Sequence, residues 1–411
     1  MNEWLPKNTI YVTLHGSQAY GLANEFSDVD MKGICVPPPE VENHLYHRFE
    51  QSQNPKFLEE KLGYLKNPKN PKFESEIYSL RKFFLLAAEV NPNIIELLFT
   101  APEHHFIKDS LMEKVLSNRM MFISNKARYT FAGYACAQAK KIERHRKWIV
   151  LGEVQPPKRE DFGLPAIPEK GLDEVFGHIK STVEKWNLNQ FPLEEMDRAE
   201  LKNVIWELMS NVVDKEISVA NWPDVYAEAV IHKMSKEFSL KDELVKYIYA
   251  ERSYTKAKQV YDSWVSWKKE RNPARRELEE KSGYDTKHAS HLVRLMRMGY
   301  EIITEGKVLV NRTGIDADEL LAVKNGSWSF EKVMEFKDEM EGKLETEYLR
   351  QKKLIADGKP TPIPREVDKV KLNTFYHELY NEYWNNQHKM ETEEKDCHLE
   401  WPIVSTLQTL S

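Results

Sequence analysis

The stretch Ile10–Ile34, IYVTLHGSQAYGLANEFSDVDMKGI, decides how this chain is read. A β-rich run, Ile10 to Leu14, stops at Gly16-Ser17. After a small-residue segment, Asp28-Val29-Asp30 leads into a second β-like run, Met31 to Val36. Residues i and i+2 of a strand share a face, so Asp28 and Asp30 project together while Val29 and Met31 point the other way. Two neighbouring carboxylates repel unless a cation sits between them. A hard divalent ion such as Mg²⁺ takes one or two carboxylates and fills its shell with water and substrate phosphates. Gly16 lets backbone approach a phosphate closely, and Ser17 offers it a hydroxyl and a backbone N–H.

Gly16-Ser17, ten intervening residues and Asp28-x-Asp30 resemble the signature of the DNA polymerase beta-like nucleotidyltransferases. Two further segments, Tyr78–Phe99 (YSLRKFFLLAAEVNPNIIELLF) and Gly283–Val310 (GYDTKHASHLVRLMRMGYEIITEGKVLV), are similar to one branch, the RNA repair pathway DNA polymerase beta family of bacteria and phages. The resemblance implies an α+β fold, a small mixed β-sheet nucleotidyltransferase head with covering helices followed by a mainly α-helical body. It also implies a third carboxylate from a neighbouring strand. Glu74 and Glu76 lie on one face of the run Lys72–Tyr78, so either reaches the aspartates. The family's acid stands six residues before the leucine matching Leu80, which favours Glu74, although Asp is commoner there.

The implied chemistry is transfer of a nucleoside monophosphate from a nucleoside triphosphate to a hydroxyl, with an RNA end as the expected acceptor. Asp28, Asp30 and Glu74 are the expected catalytic residues and ligands of two Mg²⁺ ions, with Mn²⁺ as the substitute. Gly16 and Ser17 are expected to hold the triphosphate tail. Two rival readings stay open: transfer to a protein or small molecule, and a catalytically inactive nucleotide- or RNA-binding head.

Composition bounds these readings. The 411 residues suffice for two or three domains, and 41% hydrophobic with 30% charged residues describes an ordinary soluble globular protein. No run has the length of a membrane span and MNEWLPKNTI lacks the layout of a signal peptide, so a cytoplasmic location is expected. The net charge of −6 excludes a global basic field, and any polyanion site must be local. Cys35, Cys136 and Cys397 lie far apart, which argues against a disulfide framework or a cysteine zinc site.

Pro37-Pro38-Pro39 ends the second run, and the polar, Asn-Pro-punctuated stretch from Glu40 to Lys72 reads as a surface excursion between two strands. Leu80 to Val90 has helical spacing, stopped by Asn91-Pro92-Asn93, and Glu96 reads as a structural acid among apolar neighbours. Phe131, Ala135, Gln138 and Ile142 make the stripe of a helix that then turns basic. There Lys140, Arg144 and Lys147 fall on one face at a spacing suited to nucleic-acid phosphates.

Residues 155–171 read as a connection, 172–275 as amphipathic helices without a chemical motif, and the tail from Met390 as partly loose. The helix from Asp285 to Glu305 has an apolar face of Ala289, Leu292, Val293 and Met296, with Lys287, His291 and Arg294 on the opposite side, a composition that suits a triphosphate or an RNA backbone. His288 and His291, at i and i+3 without a third ligand, make a poor zinc pair. A β-like run is expected at Lys307–Val310, and a solvent-facing charged helix between Phe330 and Lys353. The expected division is a nucleotidyltransferase domain over 1–110, a helical domain over 111–280, and a helical C-terminal region over 281–411 with the basic helix 285–305.

Overall fold

The β-branched run TIYVTLH becomes β1 (Thr9–His15), which pairs antiparallel with β2 (Val29–Cys35). The one-turn α1 (Gly16–Ala19) leaves β1 at its end. The computed structural model describes residues 2–164, 242–271 and 273–397 and the single positions 181, 185, 232 and 236. Residues 165–171 of the connection expected over 155–171, residues 172–241 of the helices expected over 172–275 apart from those four positions, and the tail beyond 397 lie outside the described residues.

The excursion after the proline run forms α2 (Pro39–Glu42), the short strand β3 (Gln51–Gln53) and α3 (Lys56–Leu62) before β4 (Phe73–Ser79). Such a connection is required because β4 runs parallel to β2, and parallel neighbours cannot be joined by a tight turn. β3 pairs antiparallel with β4, and β5 (His105–Lys108) pairs antiparallel with β1. The mixed five-stranded sheet has the order β3-β4-β2-β1-β5.

Residues opposite one another across strands share a face. Three rows cross β1, β2 and β4: His15–Asp30–Glu74, then Thr13–Lys32–Glu76, then Tyr11–Ile34–Tyr78. One face of the sheet thus grades from acidic to apolar along its strands. On the other face Val12, Val29, Met31, Cys35 and Ile77 pack with Leu58 and Leu62 of α3 into a small second core.

The main core covers the apolar end of the first face. It is built from α4 (Leu80–Ala88), α5 (Pro92–Ile95), α6 (Ser110–Ser117) and α7 (Ala127–Leu151). Further along the chain follow α8 (Asp242–Glu270), α9 (Pro273–Ser282), α10 (Thr286–Glu305), α11 (Ala317–Lys324), α12 (Phe330–Ala356) and α13 (Lys369–Cys397). Caps mark the boundaries that punctuation led us to expect. Ser79 accepts the Lys82 N–H to start α4, and Asn91 accepts the Asn93 N–H to start α5. The stripe of α7, with Phe131, Ala135 and Ile142, meets Leu292, Val293 and Met296 of α10 in one cluster.

Contacts divide the chain into Met1–Ile149 with Glu277–Ser411, and Val150–Arg276. In the second unit a buried Arg159 guanidinium grips both carboxylate oxygens of Glu251 and lies against the Tyr254 ring. Two local expectations fail. Lys307–Val310 forms no strand and joins no ladder; its alternation reflects Val308 and Val310 packing into the helical core. The charged helix α12 does not simply face solvent, because it buries Val333, Met340 and Leu344. Among the described residues no helix is long and apolar enough to cross a membrane.

Candidate metal centre and active site

Asp28 immediately precedes β2, Asp30 is its second residue, and parallel register sets Glu74 of β4 beside Asp30. Ligand oxygens of all three carboxylates lie within 4.8 Å of one another. The turn after β1 closes over them. Gly16 has φ +63°, and a Cβ there would stand 2.2 Å from Asp30 Oδ2. Only glycine satisfies both the left-handed backbone and this approach, so the Gly16-Ser17 turn and the acids form one site.

Burial, then the like charges of Asp28 and Glu74, push the Asp30 carboxyl up to about 6 against the opposing pull of Lys287 and Lys72. The three acids are thus under-neutralised by the protein. Lys72 supplies part of the missing charge at 2.6 Å from Glu74 Oε1, and that hydrogen bond raises its own pKa. A hard oxygen-only set with excess negative charge fits a divalent cation such as Mg²⁺. Glu76, two residues on, is already committed: its carboxylate receives Lys32 Nζ at 3.2 Å, Gln51 Nε2 at 3.0 Å and the Tyr78 hydroxyl. The next row along the sheet is therefore self-compensated, which singles out Glu74.

The other expected residues separate. Lys287 is exposed at the start of α10, and its charge bears on Asp30. Arg294 points inward instead: 1% exposed, it donates to Glu96 Oε1 at 2.6 Å, approaches His291 Nδ1 at 3.1 Å and sits 3.6 Å over the Tyr20 ring. Its guanidinium is spent on a buried carboxylate rather than displayed to a ligand. A wholly buried Glu96, in the single turn that follows α5, draws the arginine in, since neither charge survives there alone. His291 lies in the same interior, and burial followed by the Arg294 charge lowers its pKa to about 3. Lys140, Arg144 and Lys147 are exposed together on α7, with the Arg144 guanidinium 5.5 Å from the Trp148 ring. Among the described residues none of these three enters an ion pair.

Sequence reasoning missed how His15, Tyr20 and Glu96 support the site. Glu96 accepts the Tyr20 hydroxyl at 2.6 Å and stands 3.3 Å from His15 Nε2. Its burial would raise its pKa, but Arg294, His15 and Tyr20 together hold it well below the usual carboxylate range. Burial also leaves His15 below its ordinary value. Because His15 precedes Gly16 and Tyr20 follows α1, this cluster braces both ends of the turn over Asp30. The visible signal was a lone acid in the apolar run Ile94–Phe99, although its partners are invisible from sequence.

Residues 3–150 match the family described as the RNA repair pathway DNA polymerase beta family. An uncharacterized 38.9 kDa protein of Enterobacteria phage T4 is 31% identical over 138 residues, which cover 32% of this chain. The matched region spans 38% of that phage protein's length. No solved structure matches. Gly16-Ser17, Asp28, Asp30 and Glu74 all lie inside the matched segment, and over residues 3–150 this chain is similar to the RNA repair pathway DNA polymerase beta family.

Proposed function

We propose that this chain is a Mg²⁺-dependent nucleotidyltransferase that moves a nucleoside monophosphate from a nucleoside triphosphate onto the hydroxyl of an RNA end. The observation that carries the reading is the convergence of Asp28, Asp30 and Glu74 beneath the Gly16-Ser17 turn. Divalent ions bound there supply charge neutralisation for the attacking and leaving oxygens.

The chain's own residues do the positioning. Asp28 and Asp30 fix the ion-binding corner, and Glu74 brings its carboxylate to the outer side, where exchange of Lys72 for a cation is straightforward because both side chains are about half exposed. Gly16 and Ser17 lie against the same corner, where their backbone N–H groups and the Ser17 hydroxyl would serve the triphosphate. Lys287 brings a positive charge to the rim, where a phosphate gains from it. Arg294, with His291 set against it, supports this arrangement from within by holding Glu96, and through it Tyr20 and the turn. The exposed row Lys140, Arg144 and Lys147 favours a polynucleotide acceptor over a small molecule, since its spacing offers successive phosphate contacts.

The test is incubation with each α-labelled triphosphate, Mg²⁺ and matched RNAs ending in a 3′-hydroxyl or a blocked 3′ end. Label on the hydroxyl-terminated RNA alone is expected. Label on the protein itself or on a small molecule overturns the acceptor, and no transfer to any acceptor with intact nucleotide binding overturns the reaction.

A further inference from the structure

We propose that His145, Asp285 and His288 form a second metal site, for one borderline divalent ion of the Zn²⁺ class, independent of the acidic row. Two imidazole nitrogens converge on one carboxylate oxygen: His145 Nδ1 and His288 Nδ1 each lie 2.8 Å from Asp285 Oδ2. The set comes from two helices far apart in sequence, His145 near the end of α7 and Asp285 with His288 at the start of α10. The i, i+3 pair His288–His291 does not close a site, because His291 turns toward Arg294; the third ligand comes from α7 instead.

Further contacts hold the three residues in place. Asp285 is completely buried and uses its other oxygen to accept the His288 N–H at 3.1 Å as the cap of α10. His145 is 7% exposed and stacks on Trp148 with ring centroids 5.3 Å apart, while His288 meets it edge-on at 5.5 Å.

The donor chemistry selects the ion. Two imidazoles and one carboxylate suit Zn²⁺, whereas the oxygen-only acids near Gly16 suit Mg²⁺. Bonds of about 2.0 Å in a tetrahedron put donors about 3.3 Å apart, so the 2.8 Å separations need to open by only about half an ångström. Water or a neighbouring side chain completes the shell. The ion would tie the first turn of α10 to α7 and so fix Lys287, which lies between Asp285 and His288 in sequence.

The experiment uses the full chain, stripped of metal and held in excess Mg²⁺ so that the acidic row is masked. Titration with Co²⁺ is expected to give the intense visible absorption of a four-coordinate ion at one equivalent, displaced by one equivalent of Zn²⁺. His145→Gln and His288→Gln should each weaken Co²⁺ binding by at least about a hundred-fold. If either variant fails to fold, X-ray absorption at the zinc edge of the loaded wild-type chain decides, with imidazole scattering from two ligands at about 2.0 Å expected. Absence of the absorption, its survival in both variants, or a zinc shell without two imidazoles overturns the proposal.

Discussion

Asp30 and Glu96 are two carboxylates in one compact unit, and they stand in opposite electrostatic states. Glu96 is fully buried yet firmly ionised, because Arg294, Tyr20 and His15 surround it with charge and hydrogen bonds. Asp30 is less buried yet shifted up to about 6, by burial first and then by two neighbouring acids with no partner to offset it as Arg294 offsets Glu96. Burial alone does not make a functional carboxylate; what separates the two is whether the fold supplies the compensating charge. A group compensated from within belongs to the architecture. A group left under-compensated waits for a cation.

The sharpest way to break this comparison is to delete one acid of each kind. Asp28→Ala and Asp30→Ala should each reduce nucleotide transfer by about a thousand-fold or more in a single-turnover assay, with an unchanged or higher melting temperature because like-charge repulsion is relieved. Near-normal turnover in either would remove the acids from the chemistry. Glu96→Gln should do the reverse kind of damage, costing about 3–5 kcal/mol in urea unfolding by stranding the buried Arg294 charge. The double change Glu96→Leu with Arg294→Met should recover much of that loss, and failure to recover would mean the pair contributes more than charge balance.

A finer division separates the two glutamates of β4. Glu74→Gln should lower turnover by one to two orders of magnitude at limiting Mg²⁺, roughly the effect of losing one stabilising group. Glu76→Gln should leave turnover within a few-fold of wild type, since its carboxylate already serves Lys32 and Gln51. Equal losses would mean that the sheet rows do not divide as described.

The smallest expected effect is thermodynamic. Without divalent metal, the folded-state value of Asp30 lies above its ordinary 3.8, so the native chain binds more protons than the unfolded chain between these values. Stability from this residue is therefore full below about pH 4 and is lost as pH rises through about 6. Subtracting the melting curve of Asp30→Asn from that of wild type should isolate the slope, and Mg²⁺ should flatten it. A slope of opposite sign would contradict the charge arrangement at the site.

Much of the head was legible because its signals are local. Alternation gave β1 and β2, the triple proline ended the second strand, and Asn91-Pro92 placed the break between α4 and α5. The pair Asp28 and Asp30 followed from a strand's two-residue period alone. The exposed row on α7 was legible in the same way, as helical spacing of like charge.

What sequence could not supply depended on register and on distance along the chain. Glu74 and Glu76 have the same chemistry and the same face, and only the parallel register Asp30↔Glu74 and Lys32↔Glu76 distinguishes the acid set beside another acid from the one set beside a lysine. Periodicity put Arg294 opposite an apolar stripe and so on an outer face; a helix packed on nearly all sides has no such face, and the buried Glu96 claimed the guanidinium. His145 lies within the basic part of α7, yet it is buried against Asp285. Short-range pattern fixes which side chains point together. Only the tertiary fold decides which charges find a partner, because those partners lie 140 residues apart for His145–Asp285 and 198 for Glu96–Arg294.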